Sequence, residues 1–186
     1  MDVKHFDTHD LYIFKPEKLK TDGAVVYYHG GGFTVMHVYT YQRFISNMAI
    51  ELGCIVFSPE YRLAPEHPFP QGDTDVYLAT KYVYDNYKEY NIDRNEFTTN
   101  CTRDFIDFGD GFCKNDDKFM MRERIILTGD SAGGFFTMTT WYRMKSYFKE
   151  NGIKPALLSF IYPAFGYRFD SPRYFDSFTP LLCHHG

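Results

Sequence analysis

Apolar residues occur along this chain in two patterns, short unbroken runs and longer stretches with helical spacing. The unbroken runs predict five strands, over residues 11–14, 24–28, 54–58, 125–128 and 156–162. Helical spacing covers three stretches, residues 40–52, 73–87 and 135–148. Most of the strands are apolar on both faces, as in a parallel sheet covered by helices. The alternation of strand and helix therefore predicts an α/β fold with a doubly wound, mostly parallel sheet and helices on both faces.

Glycine and proline mark the expected ends of several elements. Gly53 is expected to end the first helix, and Pro59 to end the strand that follows it. Residues 89–118 are rich in Asn, Asp, Thr and Gly and contain no convincing element. A stretch of about 30 residues without an element is unusual inside a compact domain. We therefore predict one partial domain over residues 1–186, with a surface insertion at residues 91–120.

Composition narrows the classes of partner. The chain has 186 residues, 44% of them hydrophobic and 24% charged, as in ordinary globular proteins. A net charge of −4 argues against nucleic acid and anionic membranes as partners. No apolar run reaches the roughly 18 residues that span a bilayer, and the polar start does not resemble a signal peptide. A cytoplasmic protein without a transmembrane segment is the default expectation, and the oligomeric state stays open.

The four cysteines leave the compartment open. Cys54 begins an apolar run and is expected to be a small core residue. Cys101 and Cys113 bracket a short polar loop, where a disulfide would contribute about 3 kcal/mol in an oxidising compartment. Asn100 begins a formal N-glycosylation acceptor in the same loop. Neither the disulfide nor the glycosylation would form in the cytosol. Because short acceptor motifs are common by chance, we favour the interpretation that the loop carries neither modification.

The chain carries its strongest chemical signal at residues 124–134. An apolar strand leads into Gly-Asp-Ser-Ala-Gly-Gly, and a stretch with helical spacing follows. This is G-x-S-x-G in its meaningful context, a strand, a sharp turn and a helix, with glycines leaving room for the strained turn. An earlier apolar strand leads into His-Gly-Gly-Gly-Phe at residues 29–33, a loop with free backbone N–H groups. Together the two motifs predict acyl transfer from an ester or amide to Ser131.

A serine nucleophile needs a base and needs donors for the oxygen that becomes negative. In this arrangement the donors are the amide of Ala132 and those of Gly31 and Gly32, each typically worth about 3–4 kcal/mol of barrier. His29 precedes the glycines and is expected to brace the loop rather than to act as the base.

Other chemistries lack their signatures. A Walker-type phosphate loop requires Lys after its glycines, and residues 129–136 contain none. The dinucleotide pattern G-x-G-x-x-G and His/Cys metal spacing are also missing, and His184 and His185 are interpreted as an exposed terminus. We therefore expect neither a cofactor nor a metal.

Three blocks together resemble the hormone-sensitive-lipase group of α/β-hydrolases: residues 29–33, 61–70 and 129–134. Residues 159–164 and 171–174 are similar to its arylacetamide deacetylase branch. The resemblance implies that Ser131 is the nucleophile and that Gly31, Gly32 and Ala132 form the oxyanion hole. It further implies supporting roles for His29 and Asp130, a structural role for the loop at 61–70, and small-molecule carboxylic esters or acetylated aryl amides as substrates.

The chain departs from this family in its C-terminal part. In the family the triad acid and histidine follow the nucleophile, on loops after two later strands. Asp170 and Asp176 lie too early for the acid, and His184 and His185 lie where a cap region is expected. We expect a partial serine esterase that is inactive or very weak alone.

Two alternatives follow from the same resemblance. One is a non-catalytic module that binds small apolar ligands, as in the plant gibberellin receptors, which resemble this group. The other concerns the compartment: the deacetylase branch, taken with the Asn100 acceptor, would indicate the lumen of the endoplasmic reticulum.

Overall fold

The computed structural model describes residues 1–92, 94–95 and 121–164. Its strands are β1 Asp2–His5, β2 Asp10–Phe14, β3 Ala24–Tyr28, β4 Ile55–Glu60, β5 Arg94–Asn95, β6 Met121–Glu123, β7 Ile125–Asp130, β8 Ile153–Lys154 and β9 Leu157–Ile161. Its α-helices are α1 Val38–Leu52, α2 Gln71–Asp85, α3 Ala132–Arg143 and α4 Lys145–Asn151, and a 3-10 helix spans Tyr87–Tyr90.

Six of these strands form the main sheet, in the order β1-β2-β4-β3-β7-β9. The pairs β3–β4, β3–β7 and β7–β9 are parallel, whereas β1 and β2 form an antiparallel edge. The short strands β5, β6 and β8 form a second, three-stranded sheet. The predicted fold class, a mostly parallel α/β sheet, is confirmed.

Helices cover both faces of the main sheet, and β3 contributes alternate side chains to the two layers. Val26 and Tyr28 belong to the core shared with α2, α3 and α4. Val25 and Tyr27 belong to the second core, which α1 completes with Ile45 and other apolar residues. All five residues of β3 are buried. Burial on both faces explains why this strand is apolar throughout.

Two predicted boundaries are wrong near β4. The strand does not end before Pro59 but continues to Glu60. Strand β4 pairs with β2 as far as Glu60, whereas its pairing with β3 ends at Phe57. Pro59, which has no N–H, therefore lies where β4 is paired on one side only. Helix α1 begins at Val38, two residues earlier than predicted, because its first amide donates to Glu60 Oε2 at 2.8 Å.

The predicted helix over residues 135–148 is two helices, and it begins earlier. Helix α3 starts at Ala132, directly after the turn, and α4 starts after Met144, which has φ −85° and ψ 0°. The helix predicted over 73–87 is shifted to Gln71–Asp85. Strand β1 was not predicted, because its residues are mostly exposed and carry no apolar pattern.

Part of the predicted insertion has structure. Within residues 91–120, Arg94–Asn95 forms β5 and pairs with β6, and residues 93 and 96–120 lie outside the described residues. Cys54 is buried and free, as expected of a core residue. The proposed Cys101–Cys113 bridge, the Asn100 acceptor and Cys183 lie outside the described residues. Among the helices that are described, none combines the length and apolar character required to span a bilayer.

Candidate active site

Ser131 occupies the turn between β7 and α3. Its φ of 51° and ψ of −115° fall where residues with a side chain are rarely found. The flanking glycines leave no space for a side chain: a Cβ on Gly129 would lie 2.5 Å from the Gly133 carbonyl oxygen. The turn is therefore the tight elbow that the motif predicts.

The hydroxyl of Ser131 is not used to cap the helix that follows. No side-chain cap bond is formed, and the residue is half-buried. Its backbone carbonyl accepts the amides of Gly134 and Phe135 at 3.0 and 3.3 Å, which starts α3. The amide of Ala132 belongs to the first turn, where N–H groups have no intrahelical acceptor and the helix dipole favours negative charge.

The glycine loop after β3 requires glycine by its geometry. Gly31 has φ 126° and Gly32 has φ 58°. The Gly31 carbonyl accepts the amides of Thr34 and Val35 at 3.1 and 3.0 Å, which folds the loop back on itself. A Cβ on Gly31 would lie 2.0 Å from the Val35 carbonyl oxygen, so no larger residue fits.

The two motifs follow the carboxyl ends of two neighbouring strands. Strands β3 and β7 are parallel neighbours, with Tyr28 paired to Gly129. Neighbouring strands lie about 4.8 Å apart, so the loop that begins at His29 and the turn at Ser131 emerge side by side. The fold thus brings the sequence-predicted residues to one place, and their roles as nucleophile and oxyanion donors stay predictions.

Asp130 binds four donors from three parts of the chain: β3 with the loop after it, α1, and the segment after β9. Its Oδ1 accepts the hydroxyl of Tyr27 at 2.5 Å and the amide of Gly30 at 3.0 Å. Its Oδ2 accepts the hydroxyls of Tyr41 at 2.8 Å and Tyr162 at 3.2 Å. Burial and the bond to Asp130 raise the pKa of Tyr41 to about 12, so this phenol is protonated at neutral pH. The carboxylate therefore ties the glycine loop to α1 and to the segment after β9.

Sequence reasoning identified Asp130 but missed Tyr41 and Tyr162. Tyr41 belongs to none of the sequence blocks, and Tyr162 lies in the block at residues 159–164 without a role having been predicted for it. Each tyrosine lies far from Asp130 in sequence, at separations of 89 and 32 residues, and the high aromatic content does not single out individual residues.

His29 is buried, and its ring contacts the glycine loop. Its Nδ1 lies 2.7 Å from the Gly30 carbonyl, which can only accept, so Nδ1 carries the proton. The Tyr61 hydroxyl donates to the His29 carbonyl at 2.8 Å, and the two rings stack at 4.3 Å. Burial lowers the pKa of His29 and keeps the imidazole neutral. These contacts support the predicted bracing role.

The other described histidines bind groups away from the elbow. His5, His9, His37 and His67 pair with Asp10, Asp75, Glu60 and Gln71, respectively. His184, His185, Asp170 and Asp176 lie outside the described residues, so the expected lack of a triad acid and base is untested. Within residues 1–92, 94–95 and 121–164, no cluster of His, Cys, Asp or Glu side chains is arranged to hold a metal ion.

The loop at 61–70 is fastened to α2 beside the site. Arg62 donates through Nε and Nη2 to the two carboxylate oxygens of Asp75, both at 2.8 Å. The Arg62 amide adds a third bond to the same carboxylate at 3.1 Å. The side chain of Asp75 is fully buried, so this pair fixes the loop firmly.

Comparison with known proteins identifies one family and several similar proteins. Residues 25–180 match the profile of a family described as alpha/beta hydrolase fold. Neutral cholesterol ester hydrolase 1 of Mus musculus is 30% identical over 97% of this chain and 39% of its own length. Esterase LipI of Mycobacterium tuberculosis is 38% identical over 60% of this chain and 26% of its own length.

Solved structures agree. A hyperthermophilic esterase from the archaeon Pyrobaculum calidifontis superposes with a TM-score of 0.60 and 30% identity. The superposition covers 84% of this chain and 41% of that esterase. The chain thus spans less than half the length of each of these relatives. The matched profile and the three sequence blocks show that the chain belongs to the α/β-hydrolase fold family, in its hormone-sensitive-lipase group.

Proposed function

We propose that this chain carries the nucleophile of a carboxylic-ester hydrolase that is acylated on Ser131. The observation that carries the proposal is the elbow itself. Ser131 has a φ of 51°, its hydroxyl makes no cap bond, and it lies beside the glycine loop. Relatives named as esterases and as an ester hydrolase add support.

The proposed reaction begins when Ser131 Oγ attacks the carbonyl carbon of the ester and gives its proton to a base. The carbonyl oxygen becomes an oxyanion, which accepts hydrogen bonds from the amides of Gly31, Gly32 and Ala132. Collapse of this intermediate breaks the bond to the alcohol, which leaves with the proton. Water then hydrolyses the acyl-enzyme. Each oxyanion donor lowers the barrier by about 3–4 kcal/mol.

We assign the base and the acid to residues that are not among these 186, as the family resemblance implies. His29 does not suit the role, because its Nδ1 donates to the Gly30 carbonyl and because burial, which lowers its pKa, disfavours the imidazolium that a base becomes. Without a base, a serine hydrolase retains only the weak acceleration of its oxyanion hole and binding site. The 186-residue chain alone is therefore proposed to be inactive or very weak.

Aromatic rings near the site favour apolar acyl or aryl groups in the substrate. Phe33 follows the glycine loop and makes edge-to-face contacts with Phe135 and Phe136 at 5.4 and 5.3 Å between ring centroids. Phe135 begins the second turn after Ser131 and is half-buried. An aromatic wall of this kind suits carboxylic esters, or acetylated aryl amides, with little charge.

Hydrolysis of p-nitrophenyl acetate and butyrate tests the proposal. The experiment compares the 186-residue chain with a C-terminally extended form. Each form is measured as the wild type, as Ser131→Ala and as Ser146→Ala. Ser146 is the control, because it is exposed on α4. We expect turnover in the extended form that Ser131→Ala abolishes and Ser146→Ala preserves. Intact-mass spectrometry should detect an acetyl adduct that is missing from Ser131→Ala.

Two results would contradict this function. Turnover of the extended form that survives Ser131→Ala would remove Ser131 from the mechanism. Stoichiometric binding of an apolar ester without turnover in either form would favour the ligand-binding module instead.

A further inference from the structure

The segment after β9 holds the backbone of Ser131 on both sides. The Ser131 amide donates to the Ile161 carbonyl at 3.0 Å, and the Ser131 carbonyl accepts the Ala164 amide at 2.9 Å. Pro163 packs on the start of α3, where a Cβ on Gly134 would lie 2.6 Å from the Pro163 Cβ. The nucleophile is thus held by residues 161–164 as well as by its own helix.

Tyr162 lies in the middle of this segment in an unusual conformation. Its φ is 35°, a value that residues with a bulky side chain seldom adopt. The residue is 71% exposed, yet its hydroxyl donates to Asp130 Oδ2 at 3.2 Å. The charge of Asp130 raises the pKa of the Tyr162 phenol, which therefore stays a donor well above neutral pH. A strained residue persists where the surrounding structure needs its position.

Asp130 transmits the position of Tyr162 to the glycine loop. The same carboxylate accepts the amide of Gly30 through Oδ1, and it packs so closely that a Cβ on Gly30 would lie 2.4 Å from Oδ2. Rotation of the carboxylate would therefore move Gly30, which precedes the donors Gly31 and Gly32. Oδ2 has two donors, Tyr41 and Tyr162, and removal of either leaves the carboxylate less constrained.

We propose that Tyr162 is a positioning residue for reaction at Ser131: through Asp130 it fixes the glycine loop against the elbow. This inference rests on the proposed ester hydrolysis. Tyr162 touches neither the acyl group nor the nucleophilic oxygen in this scheme, and it acts by holding two backbone segments in register.

The test compares Tyr162→Phe with Tyr142→Phe, a control on α3 that is 68% exposed. The first measurement is hydrogen–deuterium exchange of the Gly30 amide in the 186-residue chain, which requires no turnover. We expect Tyr162→Phe to speed this exchange about fivefold, because the bond from Gly30 to Asp130 opens more often. Tyr142→Phe should leave the exchange rate of the Gly30 amide unchanged. Both variants should have the thermal midpoint of the wild type.

The second measurement is the reaction of Ser131 with a fluorophosphonate in the C-terminally extended form. Tyr162→Phe should lower the rate constant for phosphonylation about fivefold without changing the concentration for half-maximal rate, since positioning and not binding is altered. A change in half-maximal concentration alone, or unchanged exchange at Gly30, would overturn the assignment of Tyr162. If wild type does not react at Ser131, the proposed hydrolysis fails, and exchange at Gly30 still decides whether Tyr162 holds the loop.

Discussion

The backbone of Gly133 lies directly against the carbonyl oxygen of Tyr28, so that a Cβ on Gly133 would be 1.9 Å from that oxygen. This contact joins the first turn of α3 to the end of β3. Because Ser131 and the glycine loop begin at these same two places, the distance between them depends on the absence of a side chain at residue 133.

Gly133→Ala should destabilise the protein by about 3 kcal/mol, since the new methyl group meets backbone that cannot move aside. Urea unfolding measures the change. Gly152→Ala is the matched control, because Gly152 has φ 63° but nothing within 4 Å of its Cβ position, and it should lose only about 1 kcal/mol. Equal losses in the two variants would show that the contact with Tyr28 is not tight.

Gly31→Ala should abolish most ester hydrolysis in the extended form. The methyl group would meet the Val35 carbonyl at 2.0 Å and displace the loop donors, and loss of one donor lowers kcat about 100-fold or more. Gly32→Ala has open space, with its nearest atom 4.0 Å away, and should lower kcat less than about tenfold through its positive φ alone. Steady-state kinetics on p-nitrophenyl acetate distinguishes the two, and a kcat of Gly31→Ala equal to that of the wild type would remove the loop from the oxyanion hole.

Asp75→Ala should lower the free energy of unfolding by about 4 kcal/mol, because it leaves Arg62 without its buried partner. Asp85→Ala is the control: Asp85 pairs with Lys81 on the surface of α2, and its loss should change stability by less than about 1 kcal/mol. Urea denaturation of both variants provides the comparison. A loss below about 1 kcal/mol for Asp75→Ala would mean that the loop at 61–70 is not held by this pair.

The stability of the fold should fall as pH drops below about 6.5, the ordinary pKa of histidine. Burial lowers the pKa of His9, although Asp75 lies 3.5 Å from its Nδ1 and opposes the shift. Below pH 6.5 the unfolded chain binds a proton at this residue that the folded chain does not bind. The free energy of unfolding therefore decreases with falling pH until the folded pKa is reached, by at most about 1.4 kcal/mol per pH unit for one histidine.

Urea titrations between pH 5 and pH 8 should show a smaller slope for His9→Gln than for wild type. His29, whose pKa is also lowered by burial, should account for part of the slope that is left. His5→Gln is the control, because His5 is exposed and its ring binds the carboxylate of Asp10 at the surface. An unchanged slope in His9→Gln would show that His9 titrates alike in the folded and unfolded chains.

The buried parallel strands could be predicted from sequence, because burial on both faces favours apolar residues along most of each strand. For β3 the predicted and observed ranges coincide at Ala24–Tyr28. Strand β1 could not be predicted, since it is held by backbone pairing to β2 and its side chains face solvent. The break at Met144 was missed for a related reason: Met144 is a good helix former, and only tertiary packing, which buries it fully, marks the change of direction.

The candidate site was predictable where its residues are adjacent in sequence. Gly129, Ser131 and Gly133 carry a local steric requirement that a motif expresses, and so does the glycine loop. The donors to Asp130 carry none, because Tyr41 and Tyr162 reach the carboxylate only after the sheet and α1 have assembled. Tyrosine hydroxyls of this kind are recognised from coordinates and not from spacing.

The pairing of β3 with β7 has a consequence for folding. Gly30 and Asp130 are in contact although 100 residues separate them, and every parallel pair in the main sheet requires a long crossover. Contacts between distant segments form slowly, because the entropy of closing a large loop is lost before the contact is gained. The end of the sheet that carries the glycine loop and Ser131 should therefore form late during refolding, once β3 and β7 have paired.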